Sequence, residues 1–235
     1  MSDISVPQPS VPAQGAHPGS LPRRIADTFF SPIALFRRFE ARPPWVDVML
    51  VSIVLSTIAY ALIPTEIWLA MIEEMARLHP EAPRPADPEG MAAMQRWFSV
   101  GSIVVMTPLI VALEAGLMVL LFGVVLGGSA TFRQYVSVAA HASVIGAVGM
   151  LATLPIIISR QDLRAGITLA ALVPGADPQS FVYQFLNAFG VFLVWQTVVM
   201  GLGAHALNRR ISAGTAVGVV LALNAAIAAG FAALF

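Results

Sequence analysis

A chain of 235 residues with 57% hydrophobic and 11% charged residues and a mean hydropathy of +0.80 would, as a soluble domain, be coated in apolar surface. Lipid is the solvent such a composition needs, so an integral membrane protein is expected. The sequence holds no Cys, which excludes disulfides, thiolate zinc sites, iron–sulfur clusters and a cysteine nucleophile. Formal net charge is 0, with 13 acidic and 13 basic residues, and all the basic ones are Arg.

The first segment, residues 1–20, is rich in Pro, Ser, Gln and Gly and has too little apolar area to offset the entropy of ordering, so it reads as a disordered tail. Residues 21–44, LPRRIADTFFSPIALFRRFEARPP, read as an amphipathic interfacial segment. Ser31 followed by Pro32 marks an N-cap and first helical position, and the helix it opens should stop before Pro43. Arg23, Arg24, Phe29, Phe36, Arg37, Arg38 and Trp45 place cationic and apolar groups side by side, as in a helix lying among anionic headgroups. Packing against the cytoplasmic end of the membrane domain would produce the same pattern, and both readings stay open.

Residues 45–235 read as an all-α membrane domain, a five-transmembrane-helix bundle, since about 20 apolar residues cross the hydrocarbon core. The expected spans are 45–63, 101–126, 135–158, 183–207 and 214–235. Ala59-Tyr60-Ala61 resembles a signal-peptidase site, but the long leader before the first apolar run favours an uncleaved anchor. The second span is long enough to tilt or overrun the core, and Pro155 should end or kink the third. Between the first two spans, Ile67, Met71, Met75 and Leu78 recur at helical spacing, so a surface helix is expected to lie there as a lid.

Arg placement orients the bundle. Arg23, Arg24, Arg37, Arg38, Arg42, Arg133, Arg209 and Arg210 fall on one side and Arg77, Arg84, Arg96, Arg160 and Arg164 on the other, which puts the N-terminus in the cytoplasm and the C-terminus outside.

Several short motifs carry a family resemblance. Phe30-Ser31-Pro32 with Phe36, then Arg42-Pro43-Pro44-Trp45 leading into a span, resembles the entry segment of the bacterial branch of the Yip family, the Ypt/Rab-interacting membrane proteins. GGSATFRQYVSVAAHASV, from Gly127, is similar to that family's connection between its second and third spans, and VWQTVVMGLGAHAL, from Val194, to its fourth. The resemblance implies five spans, a bacterial inner membrane and a scaffold or adaptor organising membrane proteins or lipids without chemistry of its own. The Asp-Leu-Tyr-Gly-Pro motif of eukaryotic members is absent, so Rab binding is not implied.

Chemistry, if any, should centre on Glu114, the one acid deep in a span. At 1.5 Å per residue it stands roughly 18 Å above the cytoplasmic end of its helix, with Asn224 at about 15 Å, Gln196 at about 16 Å and His141 near 9 Å on theirs. These four residues form a candidate intramembrane polar cluster. One reading is a hydrogen-bonded buttress; the other is a proton or cation site of a small transporter, channel or lipid-moving protein, with Glu114 titrating and His141 as relay. Neither an inverted repeat nor a broken helix pair supports transport. His17, His79, His141 and His205 lack ligand spacing, so no metal and no cofactor are expected. There is no catalytic motif either, so no enzyme is expected. The expected partners are membrane lipids, with other membrane proteins or a second copy of the chain, and no nucleic acid. Gly116, Gly123, Gly127, Gly128, Gly146, Gly149, Gly201 and Gly203 read as close helix packing.

Overall fold

The computed structural model describes residues 19–39 and 43–234. Residues 1–18 of the expected tail, and Arg42, lie outside them. The described residues form helices α1 (Leu21–Phe30), α2 (Pro32–Phe36), α3 (Val46–Ala61), α4 (Thr65–Leu78), α5 (Pro88–Met118), α6 (Phe132–Arg160), α7 (Phe181–Asn187), α8 (Val191–Leu207) and α9 (Ala213–Leu234). Among them there is no strand, only one antiparallel bridge between Thr168 and Gly190.

The chain is all-α, and three of its helices are long and apolar enough to cross a membrane, or four if α3 and α4 count as one bent span. The five expected spans are thus not all matched by single long helices. For the first, α3 has only 16 residues, and the chain turns by 75° into α4 at Leu62–Pro64. Arg96 stabilises that corner. Its guanidinium donates to the Ala61 carbonyl, orphaned at the end of α3, and to Thr65 Oγ1 at 3.2 Å.

The second expected span begins earlier than hydropathy indicates. Asp87 caps α5 by accepting from Gly90 N at 2.9 Å, Pro88 occupies the first turn, and the helix continues through a π-helical stretch to Val125, 38 residues in all. At about 57 Å it overruns a ~30 Å hydrocarbon core. Pro155 does not end α6, which carries on to Arg160 and closes with Gln161 in the left-handed region at φ 52°.

The fourth expected span is split. Backbone bonds from Leu169 N to Phe189 O and from Val191 N to Ile167 O, each 3.0 Å, pin residues 189–191 to an extended stretch of the preceding loop. Those groups cannot also serve a helix, so α7 stops at Asn187 and α8 restarts after Gly190 with 17 residues. A broken pair that hydropathy had hidden is therefore present here, as at the α3–α4 corner.

At the centre stands α6, packed against α3, α5 and α8. From Tyr135 to Ile145 every residue but Ser143 is buried. Glycine lets neighbours approach: a Cβ at Gly149 would lie 2.5 Å from Phe192, at Gly203 2.4 Å from Val138, and at Gly201 2.5 Å from the Val217 backbone of α9. Gly116 and Gly123, also expected in tight packing, face open space or a single ordinary contact. Gly127 instead takes φ 65° in the turn after α5.

This contrast is testable by thermal unfolding in detergent. Gly201→Ala is expected to force α8 and α9 apart and to destabilise by about 1–3 kcal/mol. Gly116→Ala, meeting nothing, is expected to be neutral or to stabilise by up to ~1 kcal/mol through helix propensity.

Candidate functional site

The end of the bundle that carries α1 and α2 is tightly knit. Leu35 and Phe36 are fully buried, and Phe39 nearly so. Phe36 seats against Gly203 of α8 and lies edge-on to the His141 ring at 6.2 Å, with Phe39 at 5.1 Å from the same ring. Arg24, 4% exposed in its side chain, is ion-paired with Asp47 in the first turn of α3. Asp47 also accepts from Val48 N at 2.9 Å. Arg38 reaches back to Asp27 at 2.9 Å, tying the turn after α2 to α1. Ser137 of α6 donates to the Pro44 carbonyl at 2.7 Å, fixing the entry into α3.

Two residues expected at a lipid surface are therefore turned inward. Phe36 fills a hole that only a glycine on α8 leaves open, and Arg24 is drawn in by a carboxylate that sequence distance had separated from it. Arg23 and Arg37 stay exposed, Arg38 is held by Asp27, and Phe29 and Trp45 are partly buried against the core.

The four polar residues of the spans occupy separate neighbourhoods, and among the described residues no hydrogen bond joins any two of them. His141 Nδ1 donates to the Ser137 carbonyl of its own helix at 2.7 Å, which fixes the tautomer and leaves Nε2 buried without a partner. It belongs to the Phe36–Phe39 pocket. Gln196 lies on Gly146 of α6, its Oε1 2.6 Å from where a Cβ would stand. Asn224 of α9 donates to Thr197 Oγ1 of α8 at 3.3 Å and to its own Val220 carbonyl at 3.1 Å. Glu114 is partly buried, its Oε2 enclosed with no hydrogen-bond partner. It sits where α5 passes from the buried Val111, Ala115 and Met118 to the exposed Ile110 and Leu113.

Sequence reading missed Asp47, Thr197 and the Ser143–Ser52 bond of 2.9 Å that links α6 to α3. Short hydroxyl side chains in apolar runs were the available signal, but they bond to their own helix as readily as to a neighbour. Among the described residues no group of three or more His, Asp or Glu side chains is placed to hold a metal ion.

A family comparison matches residues 26–234 to the Yip1 domain. The chain belongs to that family. It is an integral membrane protein of the Yip type, and the match takes in α2 to α9 and the second half of α1. Comparison with curated proteins and with solved structures returned no match.

The Arg24–Asp47 pair generates an asymmetric prediction. Asp47 is 44% exposed in its side chain, so losing Arg24 leaves a carboxylate that water can reach, whereas losing Asp47 strands a buried guanidinium. Asp47→Ala is expected to cost about 3–5 kcal/mol of stability and Arg24→Met about 1 kcal/mol. Thermal unfolding of the two variants in one detergent measures the difference.

Proposed function

We propose that this Yip-family protein is a bacterial inner-membrane scaffold or adaptor that organises membrane proteins or lipids and carries out no chemistry. In this reading the chain crosses the bilayer five times, with its N-terminus in the cytoplasm. Helices α3 and α8 then cross as short spans of roughly 24 and 26 Å, a mismatch with a ~30 Å core that local thinning accommodates. The described residues of the 21–44 segment form a cytoplasmic module seated on the end of the membrane domain.

The observation that supports scaffolding is Glu114. A carboxyl group within a bilayer is costly unless a donor answers it, and among the described residues Glu114 makes no hydrogen bond, while its position at the edge of the α5 seam lies beside lipid-exposed Leu113 and Ile110. A polar group held unsatisfied at such an edge suits a donor from another helix, whether of a partner protein or of a second copy of the chain.

A photoreactive residue at Leu113 in native membranes is expected to give protein adducts that persist with Glu114→Gln, which keeps the hydrogen-bonding capacity, and fall about fivefold or more with Glu114→Leu. Because the side chain has no intramolecular partner, Glu114→Leu should leave the fold as stable as wild type or slightly stabilise it. In liposomes, pH-driven flux present in wild type and lost in Glu114→Gln would replace the scaffold with a transporter. For topology, a reporter placed after Arg210 is expected to be cytoplasmic and one after residue 235 non-cytoplasmic; reporters on the same side would remove the fifth span.

A further inference from the structure

We infer that the hollow between α4 and the turn following α6 binds the headgroup of a zwitterionic phospholipid of the ethanolamine type. This lies at the opposite end of the bundle from α1 and α2 and does not depend on Glu114 or on the scaffold reading.

The hollow exists because only half of the apolar stripe on α4 is covered. Ile67 and Trp68 pack against Ala92, Leu154 and Ile157, but about two to three turns further on Met75 and Leu78 are 57% and 43% exposed. There a space of about 440 Å³ opens between the helix and residues 161–164. That is within the roughly 300–1,000 Å³ range of small-molecule sites. Its apolar wall is Ile67, Met71, Met75, Leu78 and Leu163.

Four charges ring this wall. Arg77 pairs with Glu74 at 3.2 Å, and Arg164 with Asp162 at 3.6 Å. Both arginine side chains are about 70% exposed, at 71% and 68%, and exposed pairs of this kind hold each other weakly. They can exchange partners with a ligand at little cost. Arg164 also lines an adjoining hollow of about 520 Å³ that reaches Tyr183 of α7.

An amphiphile answers the combination of apolar wall and charged rim, and the balance of two cations with two anions selects a zwitterion. A phosphate suits the planar guanidinium donors of Arg77 and Arg164. A primary ammonium suits the carboxylates of Glu74 and Asp162, to which a choline group has no N–H to offer. An anionic headgroup would set its charge against both carboxylates with no cation to answer them.

The level of the hollow fits as well. It opens where α3 and α6 end, beside the Arg96 corner, and Trp97 and Phe98 are 60% and 70% exposed at this level, as aromatic residues are at a membrane interface. Headgroups are the ligands concentrated there.

Native mass spectrometry of the full chain in detergent, titrated with dioleoyl phosphatidylethanolamine, phosphatidylcholine or phosphatidylglycerol, tests this. Phosphatidylethanolamine is expected to bind about tenfold more tightly than phosphatidylglycerol, and Arg77→Ala with Arg164→Ala to weaken it about tenfold. Glu74→Gln with Asp162→Asn should abolish the preference over phosphatidylglycerol. Ala70→Trp, which fills the hollow without touching a charge, should weaken binding as the arginine substitutions do. Phosphatidylglycerol binding as well as phosphatidylethanolamine in wild type, or phosphatidylethanolamine binding that survives both the double arginine change and Ala70→Trp, would overturn the assignment.

Discussion

Everything in the bundle depends on the enclosure of the first half of α6. Apolar surface gains nothing by leaving lipid for protein, so helices in a membrane associate through close packing and polar contacts. Residues 135–145 of α6 supply both. Ala139, Ala140 and Ala142 keep the helix thin while α3, α5 and α8 surround it, and glycines further along α6 and on α8 admit Phe192, Val138 and Phe36. The polar side chains on this stretch are consistent with enclosure, since Ser137, His141 and Ser143 each bond to a backbone carbonyl.

That arrangement makes the two ends of the molecule unequal. At one end α1 and α2 are locked on by a half-buried ion pair, a second pair between α1 and Arg38 just beyond α2, and Phe36 inserted beside His141. At the other, α4 is held mainly by Ile67, Trp68 and the Arg96 corner, and the rest of its apolar stripe is uncovered. Disturbing the first end costs stability because it strands buried groups. Substitutions at the second act on exposed pairs and an open hollow, so binding can change there while the fold stays intact.

Between these ends the polar groups of the spans are spread rather than pooled. Asn224 serves the α8–α9 contact through Thr197, Gln196 covers Gly146, and His141 faces the aromatic residues of α2 and of the short turn after it. A relay needs adjacent donors and acceptors, whereas separate contacts each fix one helix pair. Glu114 makes no hydrogen bond among the described residues and its Oε2 is enclosed, which is why its partner is sought outside the chain.

The amino-acid sequence by itself determined the membrane class, the helical fold and the family. Hydropathy and backbone self-satisfaction are properties of one continuous segment, and Pro32 at the start of α2 and the apolar stripe of α4 are equally local. Tertiary structure decided the rest. Residue counting along a helix yields depth but not azimuth, so residues at similar depths, such as Glu114 and Gln196, did not have to meet. Arg24 turned inward because Asp47, 23 positions away, was brought beside it. The break between α7 and α8 arose because the residue 167–169 stretch takes up backbone groups that a continuous helix would have used. Each of these outcomes depends on what another segment places alongside, and no single segment encodes that.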